Sequence, residues 1–132
     1  MSQSKQVFEV TREAARDLSD YQYHAMKIDT SNQIDYVDTS SAGAGIGILQ
    51  NKPEAEGQEA EVRVLGTSLM YVDGNSINIG VEDMLGSNSN YHGVKVDADK
   101  DQYFAIALEA SSADGDLIEV LLLGGPHYIS AT

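Results

Sequence analysis

At 132 residues the chain has room for one core rather than two independent ones, and its 42% hydrophobic content is that of a folded globular protein. A formal net charge of −13 repels phosphate backbones and anionic lipid, so neither nucleic acid nor a membrane is an expected partner. With no cysteine there is no disulfide, thiolate metal site, iron–sulfur cluster or cysteine nucleophile, and no apolar run approaches the ~20 residues that cross a bilayer as a helix.

The opening Met-Ser-Gln-Ser-Lys-Gln leads into no signal-like apolar region, so synthesis in a cytoplasm is expected. Residues 1–20 read as an N-terminal arm. Val7, Phe8 and Val10 form an apolar extended patch, and Thr11–Leu18 carries the pattern of about two helical turns with Thr11 as N-cap. Residues 21–124 read as β structure. Tyr21–Ile28 and Ile34–Val37 flank a turn at Asp29–Gln33, giving a hairpin. Strands are expected at about 46–50, 60–66, 69–72, 77–81, 92–97, 103–109 and 117–123. Turn residues divide them, notably Asp73-Gly74-Asn75, Ser87-Asn88-Ser89-Asn90 and Asp114-Gly115. Gly124-Gly125-Pro126 then releases a C-terminal tail, 125–132, with Tyr128 and Ile129 as apolar anchors.

The chain carries an internal likeness. Displaced by 58 positions, 22–66 lies on 80–124 without a gap, and ten of the 45 positions are identical. The pairs are Met26/Met84, Ser31/Ser89, Asn32/Asn90, Ile48/Ile106, Ala55/Ala113, Gly57/Gly115, Glu61/Glu119, Val62/Val120, Leu65/Leu123 and Gly66/Gly124. Either the chain builds one core from two similar halves, or two unrelated strand–turn–strand units share their turn chemistry. Together these features predict an all-β fold, a small antiparallel barrel or sandwich of two similar halves, with an N-terminal extended arm and short helix.

The halves differ on one face. Ala60, Val62 and Val64 alternate with Glu59, Glu61 and Arg63, a strand with one wet side. In the second half Ile118, Val120 and Leu122 alternate instead with Leu117, Glu119, Leu121 and Leu123. An outward row of leucines calls for cover by the N-terminal segment, the tail or another subunit, so Leu117, Leu121 and Leu123 are the candidate oligomer interface.

Catalytic patterns are absent. Asp97-Ala98-Asp99-Lys100-Asp101 opens like a calcium loop, but Gln102 stands where the glycine belongs and Leu108 where the bidentate Glu belongs; it reads as a solvated turn. The run Ala42–Gly47 lacks a phosphate-binding fingerprint and leads into a strand. His24, His92 and His127 share no ligand spacing, and no G-x-S-x-G elbow exists. No metal, cofactor or enzymatic activity is expected. Seven tyrosines against two phenylalanines are an interface-like bias, while the missing tryptophans count against a sugar platform.

Several stretches resemble small tailed-phage capsid decoration (cement, head-stabilising) proteins. Thr11-Arg12-Glu13-Ala14-Ala15-Arg16-Asp17-Leu18-Ser19, with Gln22-Tyr23 and Met26-Lys27-Ile28-Asp29, is similar to their opening. Gly47-Ile48-Leu49-Gln50-Asn51-Lys52-Pro53, Gly57 and Glu61–Gly66 resemble their central motif, and Ile106–Leu122 their C-terminal one. The likeness spans about residues 11–124. It implies a non-enzymatic structural protein on the outer surface of a virion, bound to a major capsid protein, as a homo-oligomer with a trimer favoured. Val7, Phe8, Val10, Tyr128 and Ile129 are the candidate capsid or intersubunit contacts. The alternatives are a receptor- or glycan-binding β module on a virion surface and a small hydrolase.

Overall fold

The computed structural model describes residues 7–37, 45–98 and 101–130; the glycine-rich positions 42–44 and Asp99 and Lys100 of the acidic turn lie outside them. Among the described residues the fold is all-β, with nine strands. These are β1 (Phe8–Glu13), β2 (Ala25–Ile28), β3 (Ile34–Tyr36), β4 (Gly47–Leu49), β5 (Glu59–Asp73), β6 (Met84–Ser87), β7 (Gly93–Lys95), β8 (Gln102–Ala107) and β9 (Asp114–Tyr128).

The long strand β5 organises the molecule. Its even residues Ala60, Val62, Val64, Ser68, Met70 and Val72 are buried while its odd residues face outward, the two-residue period of a strand with one covered face. Its first half pairs with β1 and β4. β4 pairs with β2 and β2 with β3, and a parallel bridge from Ala14 to Ile34 closes the ring onto the end of β1. The second half of β5 pairs with β9, then β9 with β8, β8 with β6 and β6 with β7. A parallel contact between Val72 and Gly93 returns to β5. Two five-stranded barrels therefore share one continuous strand. At the crossover stands Gly66, at φ +107°, matched by Gly124 at φ +85° in β9; the left-handed backbone there favours a residue without a Cβ.

The halves superpose in register. Ile48↔Arg63 and Leu49↔Val62 in the first barrel become Ile106↔Leu121 and Ala107↔Val120 in the second, a displacement of 58. Met26↔Tyr36 and Lys27↔Asp35 become Leu85↔Lys95 and Gly86↔Val94, a displacement of 59. The one-residue difference arises between β1 and β2 and is reversed between β3 and β4, since β1 and β4 are both displaced by 58. So Met26 corresponds to Leu85 and Asn32 to Tyr91, and the identities Met26/Met84, Ser31/Ser89 and Asn32/Asn90 are one position out of structural register. Turn chemistry repeats too: the Asp29 carboxylate accepts from Ser31 and Gln33 N–H, as the Asn88 side-chain oxygen does from Asn90 and His92 N–H. The correspondence reaches further back than residue 22, because Glu9↔Arg63 and Thr11↔Glu61 match Thr67↔Leu121 and Leu69↔Glu119. β1 is thus the counterpart of the second half of β5.

Each barrel has its own core. Ala14, Leu18, Met26, Ile34, Leu49, Ala60, Val62 and Val64 fill the first. Met70, Val72, Leu85, Phe104, Ala107, Ile118, Val120 and Leu122 fill the second, which also takes in Ala25, Val37 and Ile48 from the first half. The halves are therefore not independent.

The short helix expected over Thr11–Leu18 does not form. Thr11, Arg12 and Glu13 pair with Glu61, Ala60 and Glu59 instead. Two helical turns alone are marginal in water. The ladder satisfies the backbone and leaves Ala14 and Leu18 fully buried, which outweighs the local helical pattern. The expected strand at 77–81 is reduced to a single bridge, Ile79↔Ser111.

Candidate functional site

Since the β5–β9 ladder is antiparallel, directly opposed residues share a face. On the outward side Leu65 opposes Leu123, Thr67 opposes Leu121, Leu69 opposes Glu119 and Tyr71 opposes Leu117. Across β5, Phe8 of β1 also pairs with Leu65. A single apolar surface therefore runs over three strands. Phe8 is 60% exposed, Leu65 44%, Leu117 40%, and Leu69 and Leu121 39% each; Leu123 is half-buried. Leu65 and Leu69 went unnoticed in the sequence because β5 was divided into two strands. The outward period 65, 67, 69, 71 becomes visible only when the strand is continuous.

The terminal candidates fall in three settings. Val7 and Phe8 are exposed at the start of β1. Val10 is half-buried against the first core, so it offers a partner less than its neighbours do. Tyr128 is exposed at the end of β9, where its hydroxyl accepts from Gln102 Nε2 at 2.7 Å. The Ile129 N–H donates to the Asp101 carbonyl at 2.9 Å, and the His127 ring stacks on Tyr103 at 5.6 Å. The tail is thereby held along β8, on the far side of the second barrel from the Val72–Gly93 closure.

Between the two halves lies an aromatic seam. Tyr36 stacks on Tyr91 at 4.2 Å, and Tyr21 meets both rings at 5.2 and 5.6 Å. His24 lies 5.0 Å from both Tyr71 and His92. Burial holds the His24 imidazole below the ordinary histidine range, with the neighbouring His92 adding to the effect. Burial beside Tyr36 raises the Tyr91 phenol. His92 Nδ1 is 2.9 Å from an Asp114 carboxylate oxygen. Much of the tyrosine bias is thus spent inside the molecule. Arg16 caps the seam: its guanidinium lies 4.5 Å from the Tyr36 ring centre, donates to the Tyr36 hydroxyl, and forks onto the nearly buried Asp35 carboxylate through Nε and Nη2, each at 2.9 Å.

Two clefts among the described residues are open. One of 590 Å³ is lined by Arg12, Glu13, Ser31, Asn32 and Gln33, and another of 290 Å³ by residues near Ser111. Among the described residues no three His, Asp or Glu side chains gather as metal ligands do.

No family model matches the chain, and no curated protein does. The head fiber gp8.5 N base of bacteriophage phi29 aligns with a TM-score of 0.58 at 16% sequence identity, over 94% of this chain and 100% of that one. At that identity the likeness is one of fold.

Proposed function

We propose that the chain is a structural protein of a phage head, a decoration protein seated on the outer capsid surface and bound to the major capsid protein. The observation that carries this reading is the end-to-end likeness of its fold to the base of a phage head fiber. The exposed row of leucines beside Phe8 supports it, since a surface of this kind serves contact with protein. A decoration protein needs only modest contacts per copy, because many copies bridging neighbouring capsomers add their effects. Its charge of −13 keeps it off the genome during assembly. Val7, Phe8, Tyr128 and Ile129 are the proposed capsid contacts, and a homo-oligomer, a trimer by preference, is the proposed bound form.

Electron microscopy of heads assembled with and without the chain tests the reading, with added density at symmetry-related outer sites expected. Heads of identical appearance, with the purified chain failing to co-sediment with them, would overturn it. Deleting residues 1–7 and replacing Phe8 and Tyr128 by Ser should lower occupancy on purified heads; unchanged occupancy would remove the terminal contacts from the proposal.

A further inference from the structure

We propose that the joint between the two barrels is a proton-sensitive latch, in which His24 and His92 keep the seam closed while neutral and let it open in acid. Residues 23–25 are where the first half grips the second. The Tyr71 N–H donates to the Tyr23 carbonyl and the Ala25 N–H to the Tyr91 carbonyl, each at 3.0 Å, and the Ala25 side chain is buried in the second core. His24 stands between these two bonds. Its ring lies 5.0 Å from both Tyr71 of β5 and His92 of the turn before β7, and meets Tyr21 edge-on at 5.6 Å. The backbone here asks for no imidazole, because Asp83 and Gln33 occupy the corresponding positions, a displacement of 59. The Asp83 N–H donates to the Gly80 carbonyl as the His24 N–H does to Tyr21. The Asp29 carboxylate accepts from the Gln33 N–H as the Asn88 side-chain oxygen does from His92.

The two rings receive a proton differently. His24 Nδ1 lies 3.0 Å from the Gln22 carbonyl oxygen and His92 Nδ1 2.9 Å from an Asp114 carboxylate oxygen. Both oxygens accept, so Nδ1 carries the hydrogen in each neutral ring. A cation on His92 has the Asp114 carboxylate as its counter-charge. A cation on His24 faces the phenols of Tyr71 and Tyr21 and the His92 ring, in a half-buried place. Asp20 and Lys52, opposite in sign, line the cleft beside Tyr23 and Tyr71. Burial resists the proton on His24, the Gln22 carbonyl favours it and charge on His92 opposes it, with resistance the outcome. Opening the seam returns both rings to water, so the open form binds the proton that the closed form refuses. The preference for the closed seam is therefore complete above the ordinary histidine pKa of about 6.5 and is lost as pH falls through it. This inference does not depend on the head-surface reading, and its test uses the chain alone.

Hydrogen exchange of the full-length chain, corrected for the pH dependence of intrinsic exchange, reads the latch at the Tyr71 and Ala25 amides. Between pH values of about 7.5 and 5.0 their protection should fall at least about fivefold. In acid they should also exchange at least about fivefold faster than the Gln50 amide, which bonds to the Glu61 carbonyl within the first barrel. His24→Asn should remove the fall. Protection unchanged in acid, seam amides that exchange only together with Gln50, or an undiminished fall in His24→Asn would overturn the proposal. The imidazole C–H resonances give a second readout. In His92→Gln, which installs the residue that the corresponding position, Gln33, already carries, the titration midpoint of His24 should rise by at least about 0.3 pH unit. A midpoint that stays in place would overturn the coupling of the two rings, and the latch with it.

Discussion

Removing the Arg16 guanidinium strands a carboxylate. Asp35 has 9% of its side chain exposed, against 50% for Arg16, and the pair is bidentate, with both donor–oxygen distances at 2.9 Å. The carboxylate also accepts from the Tyr36 N–H at 2.8 Å. Breaking a fully buried pair from one side costs about 3–5 kcal/mol. Here the cation is half in water, so screening lowers the expected loss for Arg16→Met to roughly 2 kcal/mol. With an unfolding entropy near 2.1 cal/mol/K per residue, that becomes a Tm drop of about 7 °C for a chain of this length. Adding Asp35→Asn removes the stranded charge while keeping an oxygen for the Tyr36 N–H, and should recover at least half of the loss. Thermal unfolding by circular dichroism on the parent, both single variants and the double variant closes the cycle. An Arg16→Met protein within about 2 °C of the parent, or a double variant no better than the single, would refute the assignment of Asp35 as a carboxylate held by Arg16.

Three other outcomes follow from the packing of single residues. A Cβ on Gly47 would collide with the Arg63 carbonyl oxygen and lie 2.9 Å from Val62 Cγ1, so Gly47→Ala should cost about 2 kcal/mol in chemical denaturation, although the corresponding residue in the second barrel is Ala105. Because His24 is held neutral by burial, the unfolded chain binds a proton that the folded one resists. Its contribution is complete above the ordinary pKa of about 6.5 and is lost as pH falls through it, so stability should decline on acidification and His24→Asn should flatten that limb of the profile. Val10→Ala should cost about 1 kcal/mol by opening space beside the first core, while Phe8→Ala on the same strand stays within about 0.5 kcal/mol; equal losses in denaturant titration would contradict their different burial.

The β class, the hairpin turns and the strands rich in Val and Ile were legible because their signals are local. The alternation of Ala60, Val62 and Val64 is a two-residue period that no helix tolerates on one face. The Asp29 and Asn88 turns advertise their own hydrogen bonding. Thr11–Leu18 misled for the complementary reason: its composition suits a helix, but its backbone is claimed by β5, a partner some 50 residues away. The join between 60–66 and 69–72 was hidden by Gly66, which reads as punctuation and in fact permits a crossover inside one strand. Dividing β5 there concealed half of the leucine face. The Tyr36–Tyr91 stack had no local signal either, since it joins residues that meet only when the two halves pack.

The repeat explains why this chain has two cores where its length suggested one. A five-stranded barrel built from strands as short as β3, β4 and β7 encloses few side chains, and the first core is the smaller set. Such a unit is weak alone. Sharing β5 removes one sheet edge, and burying Ala25, Val37 and Ile48 of the first half in the second core converts outer surface into core. The seam of Tyr21, Tyr36 and Tyr91 adds to that contact. With folding secured between the halves, the outward positions of the β5–β9 ladder are free of any duty to the fold, as the charges at Glu59, Glu61 and Arg63 demonstrate. The leucines at 117 and 121 keep about two fifths of their surface in water in the monomer, apolar area that a contact outside the chain would cover.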